Sequence, residues 1–475
     1  MPSDATLHEW LRIAVLGCFV YLFVNYAFFF VLTVIGVIES GLRHLQSRAE
    51  DFDTLALSRF TIPVSVLVPA YNEAAVVADS VASLLEIDYP ELEVIVVNDG
   101  SSDETLARLR TRFDLEPRQV FYRRILGTQD IRAVYRSRRE PRLLVVDKEN
   151  GGKADALNCA VNFARYRYLC SVDADSFYDR GALLQSMRLA LKDPARVVGV
   201  TSLVAISSQP ERWHRAEAGT QPSDPKPLVS FQHLDYLRSF LNNRVAWSRF
   251  KFMLCSIGAF SVWRRDVVME LGGFARNFTC EDIEMTFRVH ARYLSEKRDY
   301  EILCMPEAIA VTEGPEKVRN LVVQRARWQR VINETLWHYR RMLLNPRYKT
   351  VGLVGMPYYL LYEGVVPFVE MIAFLSLPLA WWLGVISWPV FFLVVVSISL
   401  ANGVLTNWAL FSEDRRARRY TIRGLVGFMG LGLAEYLLYR PLIFVSRWRG
   451  VIGFVRGDKR WHKFERNHRP AKNPT

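Results

Sequence analysis

The sequence predicts an α/β domain set between apolar helices, and three observations carry that expectation. Short β-branched or apolar runs at 62–68, 94–97, 143–146 and 168–172 alternate with helical segments such as 73–85 and 153–166. Residues able to do chemistry cluster directly after those runs, and long apolar stretches lie towards both ends of the chain. Strands of this length separated by helices imply a mostly parallel sheet covered on both faces. Ligands of such a sheet belong at the carboxyl ends of its strands.

Taken in order, the first apolar stretch, 13–38, has Asn25 as its one strong polar interruption. It exceeds the roughly 20 residues needed to cross a bilayer. No small-residue cleavage site follows in Glu39-Ser40-Gly41-Leu42-Arg43, so the stretch reads as an anchor over 11–39. After a polar connector, 40–60, the strand and helix pattern runs through a domain spanning 55–345. Within it, 207–227 contains Pro210, Pro222, Pro225 and Pro227 and reads as an exposed loop. The stretch 231–250 resumes a helical pattern.

A third region, 346–450, is apolar again. Its first part holds Pro357, Pro367, Pro378, Glu363 and Glu370, which predicts a broken or partly interfacial helix whose carboxylates face protein or a watery cavity. The stretch 389–411 reads as a complete crossing. The next, 424–445, contains Glu435, Arg440 and Pro441 between basic flanks, and a re-entrant or interfacial hairpin is expected there. A basic tail, 451–475, closes the chain.

The formal charge of +12 over 475 residues would suit nucleic acid if it formed one basic face. It does not. Arg415, Arg416, Arg418, Arg419 and Arg423 follow one apolar block, and Arg447, Arg449, Arg456, Lys459, Arg460 and Lys463 follow the next. That is the juxtamembrane excess found beside anionic lipid, so a membrane and no nucleic acid is expected. Hydrophobic residues make up 50% of the chain, enough for a large core. The six cysteines form no CxxC pair and read as reduced thiols, with neither a disulfide framework nor a zinc site.

The motifs fall at strand ends. Pro69-Ala70-Tyr71-Asn72-Glu73 follows the first strand, Asn98-Asp99-Gly100-Ser101-Ser102-Asp103 the second, and Asp173-Ala174-Asp175 the fourth. Asp173 and Asp175 suit Mg2+ or Mn2+, which takes one or two carboxylates and completes its shell with phosphate oxygens and water. A solvated turn is the plain alternative. Asp99 before a Gly-Ser-Ser turn suits a carboxylate facing a base or ribose, although Asp-Gly is also ordinary turn chemistry. Tyr71 would stack on the same base or simply pack at the strand end. Gly151-Gly152-Lys153 is no P-loop, because Asp147 and Ala154 stand where Gly and Ser or Thr are needed. A Gly-Gly turn opening a helix with Lys153 at its start still suits a diphosphate contact. Glu281-Asp282 opens a helical segment, where acids serve either as first-turn charges or as a general base. Gln324, Arg325, Arg327 and Trp328 lie on a further helix. Arg327 could meet a diphosphate through its planar fork, or the helix could be juxtamembrane with snorkelling arginines.

Together, Asp99, Asp173-Ala174-Asp175, Glu281-Asp282 and Gln324-Arg325-Ala326-Arg327-Trp328 resemble the signature of the membrane-embedded family 2 glycosyltransferases. That group includes cellulose, chitin, hyaluronan and poly-N-acetylglucosamine synthases. The stretches 147–158 and 258–260 are similar to its bacterial members. Cys280, where many members carry Thr or Gly, and Gly314 depart from the pattern without removing a catalytic group. The resemblance implies a GT-A domain with Asp282 as base and Glu281 beside it. Pro69, Tyr71, Glu73, Asp99, Lys153 and Asp173 would serve the donor, Asp173 and Asp175 the Mg2+ or Mn2+, and Gln324, Arg325, Arg327 and Trp328 the acceptor and diphosphate. It further implies inverting transfer from a UDP-sugar to a β-linked polysaccharide, with a single transfer to a lipid-linked acceptor as the second reading. The place implied is the bacterial inner membrane, multi-pass, with the catalytic domain cytoplasmic. Two or three crossings are few for a secreting synthase, so accessory secretion subunits enter the expectation. A membrane scaffold with a degenerate domain is disfavoured because every catalytic position is filled.

Overall fold

The computed structural model describes residues 4–48, 61–210, 220, 224–417 and 419–458. Residues 49–60 of the connector, 211–219 and 221–223 of the loop, Arg418, and Lys459, Arg460 and Lys463 of the tail lie outside them. A 45-residue helix, α1 (Asp4–Arg48), opens the chain. It is followed by β1 (Val64–Ala70), α2 (Val77–Leu85), β2 (Leu92–Asp99), α3 (Thr105–Phe113), β3 (Leu115–Pro117), β4 (Ile131–Ser137) and β5 (Leu143–Lys148). Next come α4 (Lys153–Phe163), β6 (Tyr168–Val172), β7 (Ser176–Tyr178), α5 (Ala182–Lys192) and β8 (Val197–Ser207). The helix α6 (Pro227–Tyr236) runs through a π-helical turn into α7 (Asn243–Arg249), and β9 (Phe260–Arg264), α8 (Arg265–Glu270), α9 (Glu281–Ser295) and β10 (Glu301–Glu313) complete the sheet region. The remainder is helical: α10 (Val318–His338), α11 (Met356–Tyr359) between two π-helical segments, α12 (Val366–Trp382), α13 (Trp388–Ala417), α14 (Ile422–Leu438) and α15 (Arg440–Val455).

These elements form two compact units, one from the described residues of 42–216 and 248–313, the other from those of 1–41, 217–247 and 314–458. The first holds a ten-stranded sheet of order β3-β4-β5-β2-β1-β6-β9-β8-β10-β7. Its centre, β5-β2-β1-β6, is parallel throughout. Every residue of β2, β5 and β6 is buried, as expected where helices cover both faces and the strands need apolar side chains on each. Val66, Val68, Val94, Val96, Val145 and Cys170 pack there with Val81 and Leu84 of α2. The flanks correct the expectation of a mostly parallel sheet. Among its pairings, β4 runs antiparallel to β5 and β3 to β4, β9 is antiparallel to both β6 and β8, and β7 is antiparallel to β10. The predicted helix 73–85 begins only at Val77 because Asn72 turns the chain at φ 54.

Among the described residues three helices are long and apolar enough to cross a membrane, Thr6–Leu45, Val351–Trp382 and Trp388–Glu413. In the second of these, π-helical turns at Val351–Gly355 and Leu360–Val365 interrupt the regular ladder, in the part that the prolines and carboxylates marked as irregular. Over the stretch 424–445, where a re-entrant or interfacial hairpin is expected, α14 and α15 meet at Tyr439 with a bend of 49°, the geometry of a broken span or a re-entrant loop. Pro441 in the first turn of α15 explains the break, since it cannot donate to the preceding turn. All six cysteines are free.

Candidate functional site

In the sheet unit, the loops after the parallel strands are fastened to one another before any chemistry is considered. The Asn72 side chain accepts from the Ser102 N–H at 2.7 Å, and the Ser101 hydroxyl accepts from the Asn72 N–H at 2.9 Å. The Glu73 N–H donates to the Thr105 hydroxyl at 2.8 Å. The end of β1 and the loop after it, which carry Pro69, Tyr71 and Glu73, are therefore tied to the loop after β2, which Asp99 closes, as one rim.

Asp99 ends β2 and is 1% exposed. Its carboxylate accepts from Lys148 Nζ at 2.6 Å and from the backbone N–H groups of Gly151 (3.0 Å) and Gly152 (2.8 Å). Lys148 is itself fully buried and also meets Asp155 at 2.7 Å. Burial would lower the Lys148 pKa, but the bonds to Asp155 and Asp99 outweigh it and hold the ammonium above its usual range. Asp99 thus fixes the Gly-Gly turn, and Gly152 takes a φ of +86 that releases the chain into α4 with Lys153 as its first residue.

Lys153 is where the separate motifs meet. Its Nζ lies 2.7 Å from Asp173 and 3.0 Å from Glu281. Burial acts to lower its pKa; Asp173, Glu281 and Asp282 reverse that and keep it well above the ordinary lysine value. Glu281 shows the opposite balance, with burial pushing its carboxyl up, Lys153 pulling it down and Asp282 raising it again, for a net rise. Asp282, one residue into α9, is gripped at both oxygens: Oδ2 accepts from the Gly258 N–H at 2.7 Å and Oδ1 from the Ile283 N–H at 2.7 Å.

Two residues that motif reasoning passed over complete this site. A Cβ on Gly258 would stand 2.8 Å from Asp282 Oδ2 and 2.9 Å from Lys153 Nζ, so only glycine lets the three groups close up. Tyr178, fully buried on β7, donates to the Asp173 carbonyl at 2.9 Å, lies 3.1 Å from the Ala259 carbonyl and accepts from the Asp173 N–H at 3.1 Å. It ties the Asp-x-Asp turn to the segment that holds Asp282. The resemblance of 258–260 to bacterial synthases was a signal for Gly258; a lone tyrosine three residues past Asp175 offered none.

Asp175 receives the Ser176 hydroxyl at 3.2 Å. Among the described residues no group of three or more His, Cys, Asp or Glu forms a metal cage. A pair of carboxylates one residue apart fits a hard cation that takes its remaining oxygens from a phosphate and water.

Gln324, Arg325, Arg327 and Trp328 lie on α10 in the helical unit. Arg325 is paired with Asp235 at 2.9 Å and with the Tyr439 hydroxyl at 3.0 Å, and its guanidinium lies over the Trp328 ring at 4.3 Å. Trp328 also neighbours Tyr236 and Phe240. Asp235 is shared with Arg238, which is 4% exposed and bonds Glu435, Asn402 and Thr406 from α13 and α14. Among the described residues the buried Oε1 of Gln324 and Nε of Arg327 have no hydrogen-bond partner. They lie three residues apart, hence on one face of the helix, and an orphaned buried donor or acceptor is costly unless something else meets it.

A family model described as glycosyltransferase like family 2 matches residues 62–331, more than half of the chain. The poly-beta-1,6-N-acetyl-D-glucosamine synthase of Staphylococcus epidermidis is 26% identical over 274 residues, 58% of this chain and 55% of that protein. The synthase of the same name from Staphylococcus aureus strain COL is 24% identical over 299 residues, 63% and 60% of the two chains. The matched stretch therefore spans little more than half the length of these curated relatives. Among solved structures, a mannosyltransferase from Pyrobaculum calidifontis, in complex with GDP-Man and Mn2+, superposes with a TM-score of 0.51 at 18% identity over 87% of this chain and 99% of that one. That likeness establishes a GT-A-like fold.

Proposed function

The chain belongs to glycosyltransferase family 2, and from that membership we propose that it transfers a sugar from a UDP-sugar, with inversion, to a hydroxyl of a growing β-linked polysaccharide at a membrane. The observation that carries the proposal is the Lys153 ammonium held between Asp173 and Glu281. It draws the donor-side and acceptor-side carboxylates to one point, with Asp282 fixed beside them by Gly258.

In the proposed reaction the acceptor oxygen attacks the anomeric carbon and the bond from that carbon to the diphosphate oxygen breaks. The acceptor proton passes to Asp282, and UDP leaves with the bonding electron pair. Gly258 and Ile283 aim the Asp282 carboxylate without neutralising it, because backbone N–H groups orient a base and cannot protonate it. Lys153 balances the carboxylates while the site waits and offers its charge to the departing diphosphate. Asp99 serves the donor through the turn it fixes, with Pro69, Tyr71 and Glu73 bordering the nucleotide. Asp173 and Asp175 would hold Mg2+ or Mn2+, which supplies charge neutralisation for the diphosphate. Arg327 and Gln324 would meet diphosphate or acceptor with their orphaned atoms, and Trp328 would present a flat face to a sugar ring.

The three to four apolar helical passages support a multi-pass protein of the inner membrane with the sheet unit on the cytoplasmic side. The test is a donor panel: protein purified in detergent or nanodiscs, nucleotide sugars in turn, with Mg2+ or Mn2+. Nucleoside diphosphate release with a ladder of sugar oligomers is the expected result. A single glycolipid product would move the proposal to one-step transfer, and no release with any donor would refute it.

A further inference from the structure

A groove of the helical unit lies apart from the residues assigned to sugar transfer. It has a volume of about 540 Å³ and is lined by Met371 of α12, by Phe444, Val445, Trp448, Arg449 and Ile452 of α15, and by Arg456 that caps α15. Its walls are fixed. Phe444 packs on Phe374 with ring centres 4.9 Å apart, Trp448 packs edge-on against Phe368, and the Trp448 indole N–H donates to the Pro367 carbonyl at 3.1 Å.

The exposed lining of this groove is almost wholly apolar, with arginine side chains among the residues that border it. The α15 residues and their cap span twelve positions, roughly 18 Å of helix, with Phe444 and Val445 at one end and Arg456 at the other. Val445 and Ile452 are 56% and 45% exposed, so the apolar floor is open. Of the arginines on α15, Arg440 faces Glu435, and Arg447 is answered by Glu363 and Glu370. Arg449 and Arg456 have no carboxylate partner among the described residues. They are seven residues apart, about two helical turns, and their charge is open to a ligand as far as the described residues are concerned.

We propose that this groove is a binding site for one anionic phospholipid of the surrounding leaflet. The phosphate lies between Arg449 and Arg456, and an acyl chain runs over Ile452 and Val445 towards Met371 and Phe444. A zwitterionic lipid offers the same chain but cancels its own phosphate charge, so the arginine pair selects for net negative charge. The inference rests on the membrane reading of these helices and on nothing at the sugar-transfer site.

Native mass spectrometry of the full chain, released from detergent with equimolar phosphatidylglycerol and phosphatidylcholine of identical acyl chains, tests it. The expected result is one retained phosphatidylglycerol, favoured about tenfold over phosphatidylcholine, with glycerol phosphate unable to displace it. Equal retention of the two lipids by the wild-type protein would overturn the proposal, as would displacement by glycerol phosphate, which would mean an anion site without a chain groove. The double variant Arg449→Gln, Arg456→Gln should lose the preference but keep some binding of both lipids. Val445→Trp, which fills the floor, should weaken both equally. Unchanged selectivity in the double variant would also overturn it. Release of the chain from membranes by alkaline wash without detergent would instead overturn the membrane reading beneath it, a distinct failure.

Discussion

Replacing Asp282 with Asn separates a base from a helix-end acceptor, and the structure says what each would lose. Both carboxylate oxygens accept a backbone N–H at 2.7 Å, from Gly258 and from Ile283. Asparagine keeps one acceptor and turns an N–H₂ towards the other donor, so one charge-assisted bond is lost, about 1.5–3 kcal/mol. Most of that falls on the folded ground state, and transfer should suffer less than about tenfold if holding the chain is all Asp282 does. Loss of a general base costs about 100- to 10,000-fold in turnover. Glu at 282 sharpens the contrast, because it restores basicity but is too long for both N–H groups. The base reading predicts turnover in the order Asp, Glu, Asn; the acceptor reading predicts Asp, Asn, Glu. Sugar incorporation measured beside calorimetric UDP-sugar affinity in the same nanodisc preparation decides it. Near wild-type transfer by Asp282→Asn, or Asn outperforming Glu, would refute the mechanism at its centre.

Lys153→Met should raise the donor KM by roughly 10- to 100-fold, because it leaves Asp173 and Glu281 facing each other without the ammonium between them; donor titration checks this, and an unchanged KM would count against the diphosphate role. Gly258→Ala should cut transfer at least tenfold while thermal stability changes little, since the new methyl meets Asp282 and Lys153 at the site and not the core. Trp328→Ala should depress polymer synthesis more than slow donor hydrolysis, with Trp328→Phe recovering part of it; equal loss of both reactions would point to packing against Arg325 and Tyr236 instead. His290 is buried, and burial pulls its pKa down to about 4 despite its bond to the Met253 carbonyl. The unfolded ring takes up a proton below about 6.5 that the folded one refuses. Stability of the sheet unit should therefore fall as pH drops from 6.5 to 4, and hydrogen exchange of α9 should show it in the wild type and lose it in His290→Gln.

The parallel centre of the sheet was legible because each of its strands is buried on both faces and so reads as an unbroken apolar run; β6 falls at 168–172 as predicted. The strand β4 was not, because Arg132 and Arg136 interrupt it on a half-solvated flank. In the site, residue types and strand ends were visible, but their convergence was not. Lys153 and Glu281 are joined only by the fold, and no periodicity links them. Lys148 was a missed clue, a lysine closing a fully buried strand after four apolar residues and Asp147, which calls for buried carboxylates such as Asp99 and Asp155. Asp235 was another, a lone acid in the mostly apolar α6 that turns out to be bound by Arg238 and Arg325.

The position of β9 between β6 and β8 dictates an order of assembly on the ribosome. β8 touches the parallel centre only through β9, yet β9 is made roughly 60 residues later, a delay of about 3–12 s at ordinary elongation rates. During that interval β1, β2, β5 and β6 can pair while the apolar β8, buried along its whole length in the finished protein, lacks both of its strand partners, β9 and β10. The intervening residues include α6 and α7, so the nascent chain must produce helices of the other unit before its sheet can close. A ribosome stalled just after β8 should expose a sticky half-sheet, and one stalled after the β9 segment has left the exit tunnel should not.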